Sequence, residues 1–236
     1  MIKELSVIVP AYNEEKVIAQ TLEEIASYLR SKGYRFEVLV VDDGSTDSTI
    51  ARIRPVGERY PEIRLLSQER NAGKGMAVKR GIAEAKMPLC LFIDADNSTS
   101  IREWDKFEPL FEQGARVVIA SRRVPGADIV HDQPWIRRFL GTGYRVLARG
   151  MFGLSVNDFN CGFKAYETKL AKDLYAQVRL LDWAFDVEVF CLLKKKGISV
   201  SEVPVRWEHS EKKSNLAPMR AAIKTFSSLL ELKKNY

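Results

Sequence analysis

Residues 90–97 read CLFIDADN. A strand-like apolar run ends on two aspartates with one alanine between them. In an extended segment side chains alternate, so Asp94 and Asp96 point to the same face. Two unpaired carboxylates placed together repel and raise a pKa. A hard divalent cation, Mg2+ or Mn2+, removes that cost and can bridge to phosphate oxygens. The plain alternative is a pair of solvated loop aspartates that bind nothing.

The strand before the aspartates has counterparts. LSVIV at 5–9, FEVLVV at 36–41, IRLLSQ at 63–68 and ARVVIASR at 115–122 are short apolar runs. Such runs are expected of parallel strands covered on both faces. Helical spacing lies between them: Val17, Ile18, Leu22, Ile25, Tyr28 and Leu29 recur every three or four residues, and Gly33 ends that helix. A second helix follows DDGSTDST, capped by a Ser or Asp of that loop and running toward a break at Pro55. A third begins at NAGKG, and a fourth covers about 100–113. The alternation predicts a three-layer α/β fold around a mostly parallel sheet. Ligands gather beyond the carboxyl ends of strands in such sheets. Asn13 and Glu14, Asp42 and Asp43, Asp94 and Asp96, and Ser121 and Arg122 all fall there.

Composition narrows the partners. The chain has 236 residues, 46% of them apolar, and a net charge of +6. Residues 1–130 sum to −1 and residues 131–236 to +7. A basic second half suits an anionic partner, although surplus surface lysine has the same signature. Cys90, Cys161 and Cys191 form no CxxC pair, and no zinc pattern joins them to the two histidines. The first strand starts within a few residues of Met1, so no signal peptide is expected. No stretch of 18 uncharged apolar residues predicts a spanning helix. Zinc-finger, aromatic RNA-binding and basic-zipper signatures are lacking, which disfavours nucleic acid.

The second half has a different texture. Residues 134–154 predict a helix with Trp135, Phe139, Val146, Leu147, Met151 and Leu154 on one side and Arg137, Arg145 and Arg149 on the other. Such a helix suits a membrane interface, or it packs on the protein's own sheet. SVNDFNCGFKAY reads as a polar loop, ETKLAKDLYAQ and DWAFDVEVFCLLKKKG as helices, and SVSEVPVRWE as a half-buried edge strand. Residues 217–234 read as a basic amphipathic helix. Trp183 is placed at a helix start, and His131 and His209 in loops.

NAGKG at 71–75 is loosely like a phosphate loop but lacks the GxxxxGK[ST] pattern, and GxGxxG is absent too. Gly73 and Gly75 permit close backbone approach, and Lys74 brings a mobile positive charge. VIVPAYNEE, VVDDGSTD, RNAGKG and the DAD motif together resemble the nucleotide-sugar domain of inverting family 2 glycosyltransferases. NDFNCGFKAY, LDWAFDVEVF and VPVRWEHSEKKS extend the likeness toward dolichyl-phosphate β-glucosyltransferases and, more broadly, polyprenyl-phosphate mannose synthases.

That resemblance implies a GT-A fold, with a nucleotide-sugar half at 1–130 and an acceptor-side half at 131–236. It implies glucose transfer from UDP-glucose to dolichyl or polyprenyl phosphate with inversion; the alternative is a GDP-mannose enzyme. Pro10, Ala11, Tyr12, Glu14, Asp43, Lys74, Asp94, Ala95, Asp96, Arg122, Arg206 and Lys213 would bind the donor. Asp94 and Asp96 would hold the metal, and Lys213 with Ser214 would assist Arg206 at the phosphates. Asp96, Asp158 and Arg206 would carry catalysis, Asp158 either as a base or as an orienting group. Peripheral contact with the cytoplasmic face of an anionic membrane is expected. DADN stands where relatives carry DADG or DADLQ.

Overall fold

The computed structural model describes residues 3–130, 135–182, 184–208 and 227–234, with residues 135–140 described as backbone only. The first half alternates as expected: β1 Glu4–Ala11, α1 Ile18–Ser31, β2 Arg35–Asp42, α2 Thr49–Arg59, β3 Ile63–Ser67, α3 Lys74–Glu84, β4 Leu89–Ile93. A 3-10 helix, Ile101–Lys106, and the short α4, Glu108–Glu112, replace the single helix predicted over 100–113. Then come β5 Val117–Ser121, β6 Asp128–Ile129, α5 Trp135–Phe152, β7 Phe163–Glu167, α6 Thr168–Gln177, α7 Phe185–Lys195, β8 Ser201–Pro204 and β9 Arg206–Trp207.

Seven strands form one sheet in the order β3-β2-β1-β4-β7-β5-β8, while β6 and β9 pair apart from it. β1 is parallel to β2 and β4, with Val7 opposite both Val38 and Leu91. Its alternate residues feed opposite cores. Val7 and Val9 meet Ile18, Leu22, Ile25, Trp104 and Phe107. Ile8 meets Val78, Ile82, Leu170, Leu174 and Phe185 on the other face. Burial on both faces explains why these strands read as continuous apolar runs.

Four expectations are corrected. The stretch taken as a polar loop contains β7, which runs antiparallel between β4 and β5. Its inward-facing Lys164 hid its strand character. Pro55 does not break α2, which continues to Arg59. The predicted strand over 199–208 divides between the two sheets, although Val203, Val205 and Trp207 are all buried as the alternation required. The apolar and basic faces expected of residues 134–154 are not kept separate. In α5, Leu147, Met151 and Ala148 pack into the core beside Leu154, leaving Val146 exposed. Arg145 and Arg149 also turn inward, bonding the Asn157 carbonyl and the Asn157 side chain respectively. The helical residues 227–233 bury Leu229 and Leu232 in the same core and leave Leu230 exposed. Among the described residues no helix is long and apolar enough to cross a membrane. His131, Trp183, His209, Lys213, Ser214 and the side chains of Trp135, Arg137 and Phe139 lie outside the described residues.

Smaller expectations agree with the structure. Gly33 ends α1 with φ 71°. Asp47 accepts the Thr49 amide at 2.9 Å at the start of α2. Trp104 is a packing residue, fully buried, with its indole N–H on Tyr34 at 2.8 Å. All three cysteines are buried and free.

Candidate active site

The carboxyl ends of β1, β2, β4 and β5 carry the predicted polar residues, and loops lace them together. At the β1 end, Ala11 accepts the Asp43 amide at 2.8 Å. Tyr12 is 44% exposed, an aromatic ring displayed at the rim. Asn13 takes a left-handed φ of 55° and accepts the Thr46 amide at 2.8 Å, and Thr49 Oγ1 accepts the Glu14 amide at 2.7 Å. The 11–15 and 43–49 loops therefore form one ledge.

Asp42, the last residue of β2, and Asp43, just beyond it, bond different partners. Asp42 is buried and accepts the Ser45 amide with Oδ2, while its Oδ1 is buried with no hydrogen-bond partner. Asp43 bonds the 68–73 loop: its oxygens accept Gln68 Nε2 at 2.9 Å, the Ala72 amide at 2.8 Å and the Gly73 amide at 2.9 Å. Asp43 thus shapes the loop that delivers Lys74. The glycines of NAGKG admit protein rather than an open cradle. Gly73 has φ 98°, and Cβ atoms at Gly73 and Gly75 would stand 2.5 and 2.9 Å from the Leu181 carbonyl, which accepts the Gly75 amide at 3.0 Å.

Lys74, so anchored, reaches past the Phe92 ring at 5.1 Å to Asp94, its Nζ 2.6 Å from Oδ1. Burial works against its charge. Asp94 more than reverses that, with Asp186 and Asp96 adding to it, so its pKa stands above the ordinary lysine value. The Asp94 amide donates to the Gly162 carbonyl at 2.9 Å, and a Cβ on Gly162 would collide with the Asp94 carboxylate. Asp96 accepts the Ser98 amide at 3.0 Å. Burial first, then the charge of Asp94, pushes the Asp96 pKa up. Ala95 is buried between them, and its carbonyl accepts Thr21 Oγ1 at 2.9 Å. Asn97 has φ 55°, a conformation in which Gly and Asn are the residues at ease. That accounts for DADN in place of DADG: the turn needs a left-handed residue, and Asn97 also bonds Glu24 at 2.7 Å.

Asp158 is committed elsewhere. Arg122 grips it with Nε at 2.7 Å and Nη2 at 2.8 Å, and the Arg122 amide adds a bond at 3.0 Å. Burial would raise the Asp158 pKa, but Arg122 more than offsets this and holds it below the usual carboxylate range. The Arg122 guanidinium also lies over the Trp207 ring at 5.2 Å. Asp158 is thus engaged by the Arg122 cation. The partner is Arg122 rather than Arg206. Arg206 is the alternate residue to the buried Trp207, and its side chain is 62% exposed beside Asp128. It is not brought to the cluster.

Sequence reasoning did not assign Lys164 and pointed only loosely to Asp186. Lys164 is fully buried on β7, 2.7 Å from the Cys161 carbonyl and 3.0 Å from Asp186 Oδ1. It stands over Phe92 at 5.3 Å. Burial raises the Asp186 pKa against the pull of Lys164 and Lys74. The readable signal was a lysine among apolar strand residues in GFKAY. Glu188 accepts the Arg179 and Leu180 amides at 2.9 and 2.8 Å, fixing the segment that contacts Gly75.

No group of three or more carboxylate, imidazole or thiol ligands could hold a metal among the described residues. Asp94 and Asp96 nonetheless fit one as a pair. Their oxygens are hard donors, and their mutual repulsion is already relieved on one side by an ammonium. A cation between them would need further oxygens from a ligand.

Residues 6–175 match Glycosyl transferase family 2, and the chain belongs to that family. It is 31% identical over 244 residues to the dolichyl-phosphate β-glucosyltransferase of Dictyostelium discoideum, covering 98% of this chain and 74% of that one. It is 34% identical over 213 residues to the Trichomonas vaginalis dolichyl-phosphate β-glucosyltransferase ALG5C, covering 85% of this chain and 62% of that protein. The chain thus falls short of both relatives in length. Its fold matches glucosyl-3-phosphoglycerate synthase of Mycobacterium tuberculosis in complex with Mn2+, UDP-glucose and phosphoglyceric acid, with a TM-score of 0.72 at 19% identity, covering 98% of this chain and 80% of that one.

Proposed function

We propose that this glycosyltransferase moves glucose from UDP-glucose to a dolichyl or polyprenyl phosphate, giving a β-linked glucosyl phosphoryl lipid. Likeness to dolichyl-phosphate β-glucosyltransferases over nearly the whole chain supports the substrates. The observation that carries the chemistry is the row Asp96, Asp94, Lys74 beside Arg122–Asp158, which faces paired carboxylates with oriented cations. Asp94 and Asp96 would hold Mg2+ or Mn2+, which when bound supplies charge stabilisation to a departing diphosphate. Mn2+ accompanies UDP-glucose in the fold relative named above.

The protein's own groups do the rest. Lys74, at the first residue of α3, is placed to neutralise a phosphate arriving at that helix end. The ledge of Pro10, Ala11, Tyr12 and Glu14 with Asp42 and Asp43 borders the space for a nucleoside, and the buried, unpartnered Asp42 Oδ1 is an acceptor awaiting a donor. Arg122 spends two of its five N–H donors on Asp158 and keeps its charge for an anionic acceptor. A phosphomonoester has a second pKa of about 6 and is mostly dianionic at neutral pH. It needs no general base, which agrees with an Asp158 engaged by arginine. Backside attack of its oxygen on the anomeric carbon, with the diphosphate leaving, inverts an α-linked donor to a β product.

With a lipid acceptor, peripheral contact with an anionic membrane, at its cytoplasmic face, is part of the same proposal. Val146 and Leu230 are the exposed large apolar residues of the two helices that would meet it. The test is transfer of labelled glucose from UDP-glucose to a short-chain polyprenyl phosphate, with GDP-mannose as the competing donor. Product from UDP-glucose alone is expected. Product from GDP-mannose alone overturns the donor, and transfer to a simple alcohol but not to the lipid phosphate overturns the acceptor.

A further inference from the structure

Lys74 stands on a carboxylate that a metal would have to share. Its Nζ is 2.6 Å from Asp94 Oδ1. An added Cβ on Gly162 would meet both oxygens of the same carboxylate, so one of its faces is closed. A divalent ion bound at about 2.0–2.2 Å is left with the remaining approaches, one of which the ammonium holds. The lysine is not there by chance of a surface rotamer. Its backbone is clamped at Gly73 and Gly75 against Leu181, its stem crosses Phe92, and its side chain is 21% exposed. It also begins α3, where the helix dipole disfavours a cation. Asp94 offsets that cost in the structure, and a phosphate at the same helix end would offset it equally well.

We infer that Lys74 is a resident cation that occupies the carboxylate pair until a diphosphate draws it away, so that metal and nucleotide bind with positive coupling seated in this residue. The inference rests on the proposed metal- and nucleotide-dependent transfer. It adds an order to it: metal binds weakly to the free protein and tightly once the nucleotide has taken Lys74. By linkage the coupling is reciprocal, so Mn2+ raises nucleotide affinity by the same factor.

The test is Mn2+ titration of the full chain followed by EPR of the free ion, with and without UDP or GDP. The proteins compared are wild type, Lys74→Gln, Lys74→Arg and Asp96→Asn, with circular dichroism to check folding. Lys74→Gln should bind Mn2+ without nucleotide roughly tenfold or more tighter than wild type. The gain from adding nucleotide should fall from at least about tenfold in wild type to about twofold or less in this variant. Lys74→Arg, which keeps the charge, should retain weak binding alone and a gain with nucleotide. Unchanged, weaker or absent Mn2+ binding to folded Lys74→Gln without nucleotide overturns the inference, as does full retention of the nucleotide gain. If Lys74→Gln fails to fold, tight nucleotide-free binding in Lys74→Arg overturns it and weak binding upholds it. Coupling seen with GDP and not UDP overturns the glucosyl donor while leaving the role of Lys74 standing. Undiminished Mn2+ binding by Asp96→Asn overturns the carboxylate pair as the metal's seat, and the inference with it.

Discussion

Replacing Asp158 by alanine tests whether this carboxylate exists to hold Arg122. Asp158 accepts two side-chain bonds and one backbone bond from Arg122, and it is 4% exposed. Breaking a buried ion pair from one side costs about 3–5 kcal/mol, because the surviving charge has lost its counter-charge. The Arg122 side chain is 18% exposed, so water recovers part of that, and about 3 kcal/mol is expected. In a chain of this size each kcal/mol moves Tm by about 2–4 °C, giving a fall of about 6–12 °C. Adding Arg122→Met removes the stranded charge, so the double variant should be less destabilised than the two single losses summed. The pH dependence has a definite sign. Asp158 has a depressed folded pKa, so its stabilisation is complete above its unfolded value of about 3.9 and fades as pH falls through the folded one. Urea unfolding of the four proteins should therefore show a stability gap that is constant from about pH 5 to 8 and closes only below about pH 4. A single-variant loss under about 1 kcal/mol, strict additivity, or a gap closing near neutral pH would refute the reasoning.

Other perturbations separate site from scaffold. Asp96→Asn should keep the fold, since the group it removes has a burial-raised pKa, while turnover falls roughly 10²-fold or more; full activity, or full activity in EDTA, denies the metal role. Gly162→Ala drives a methyl into the Asp94 carboxylate and should cut turnover with intact circular dichroism. Gly141→Ala, in open space on α5, should by contrast be neutral or stabilising by up to about 1 kcal/mol, and equal activity losses in the two would dismiss the Gly162 argument. Lys164→Met strands Asp186 and should cost about 3–5 kcal/mol in urea unfolding; recovery of part of it by adding Asp186→Leu distinguishes a lost pair from lost packing.

What could be read in the sequence was whatever depended on local pattern. The strands of the first half are apolar because both faces are covered, and their polar ends name the ligand edge without any coordinates. Asp94 and Asp96 were placed at that edge for that reason, and Lys74 was singled out by the glycines beside it. Partnership was not legible. Asp158 was expected as a base or an orienting group with no partner fixed, and Arg206 as a phosphate ligand, but a strand's period of two turns Arg206 away from the face that carries Trp207 to Arg122. Gly73 and Gly75 suggested a ligand cradle, and the close approach they permit belongs to Leu181. The helix pattern suggested a basic face opposite an apolar one, yet Arg145 and Arg149 bond the 154–157 segment of the chain itself. In each case the residue type was informative and the contact was set by how the chain folds.

The antiparallel strand β7 shows why those distant contacts converge. In a purely parallel sheet, segments that follow strands reach the ligand edge and segments that precede them reach the opposite one. β7 runs against its neighbours, so the segment preceding it arrives at the ligand edge, with Phe163 beside Ile93. Asp158, Cys161 and Gly162 thereby meet Arg122, Lys164 and Asp94. The strand then ends at the far edge, where the Thr168 amide meets the Pro88 carbonyl, and α6 carries the chain back. The return delivers Leu181 to Gly75 and puts Asp186 in the first turn of α7, where the helix dipole favours a carboxylate. Asp186 is then close enough for its charge to act on both Lys164 and Lys74. One reversed strand thus assembles an alternating series of charges, the buried Lys164 and Asp186 and the half-buried Lys74 and Asp94, that leads to Asp96. In that series Lys74 is the cation set against a helix dipole at the ligand edge, and so the member that an incoming anion moves at least cost.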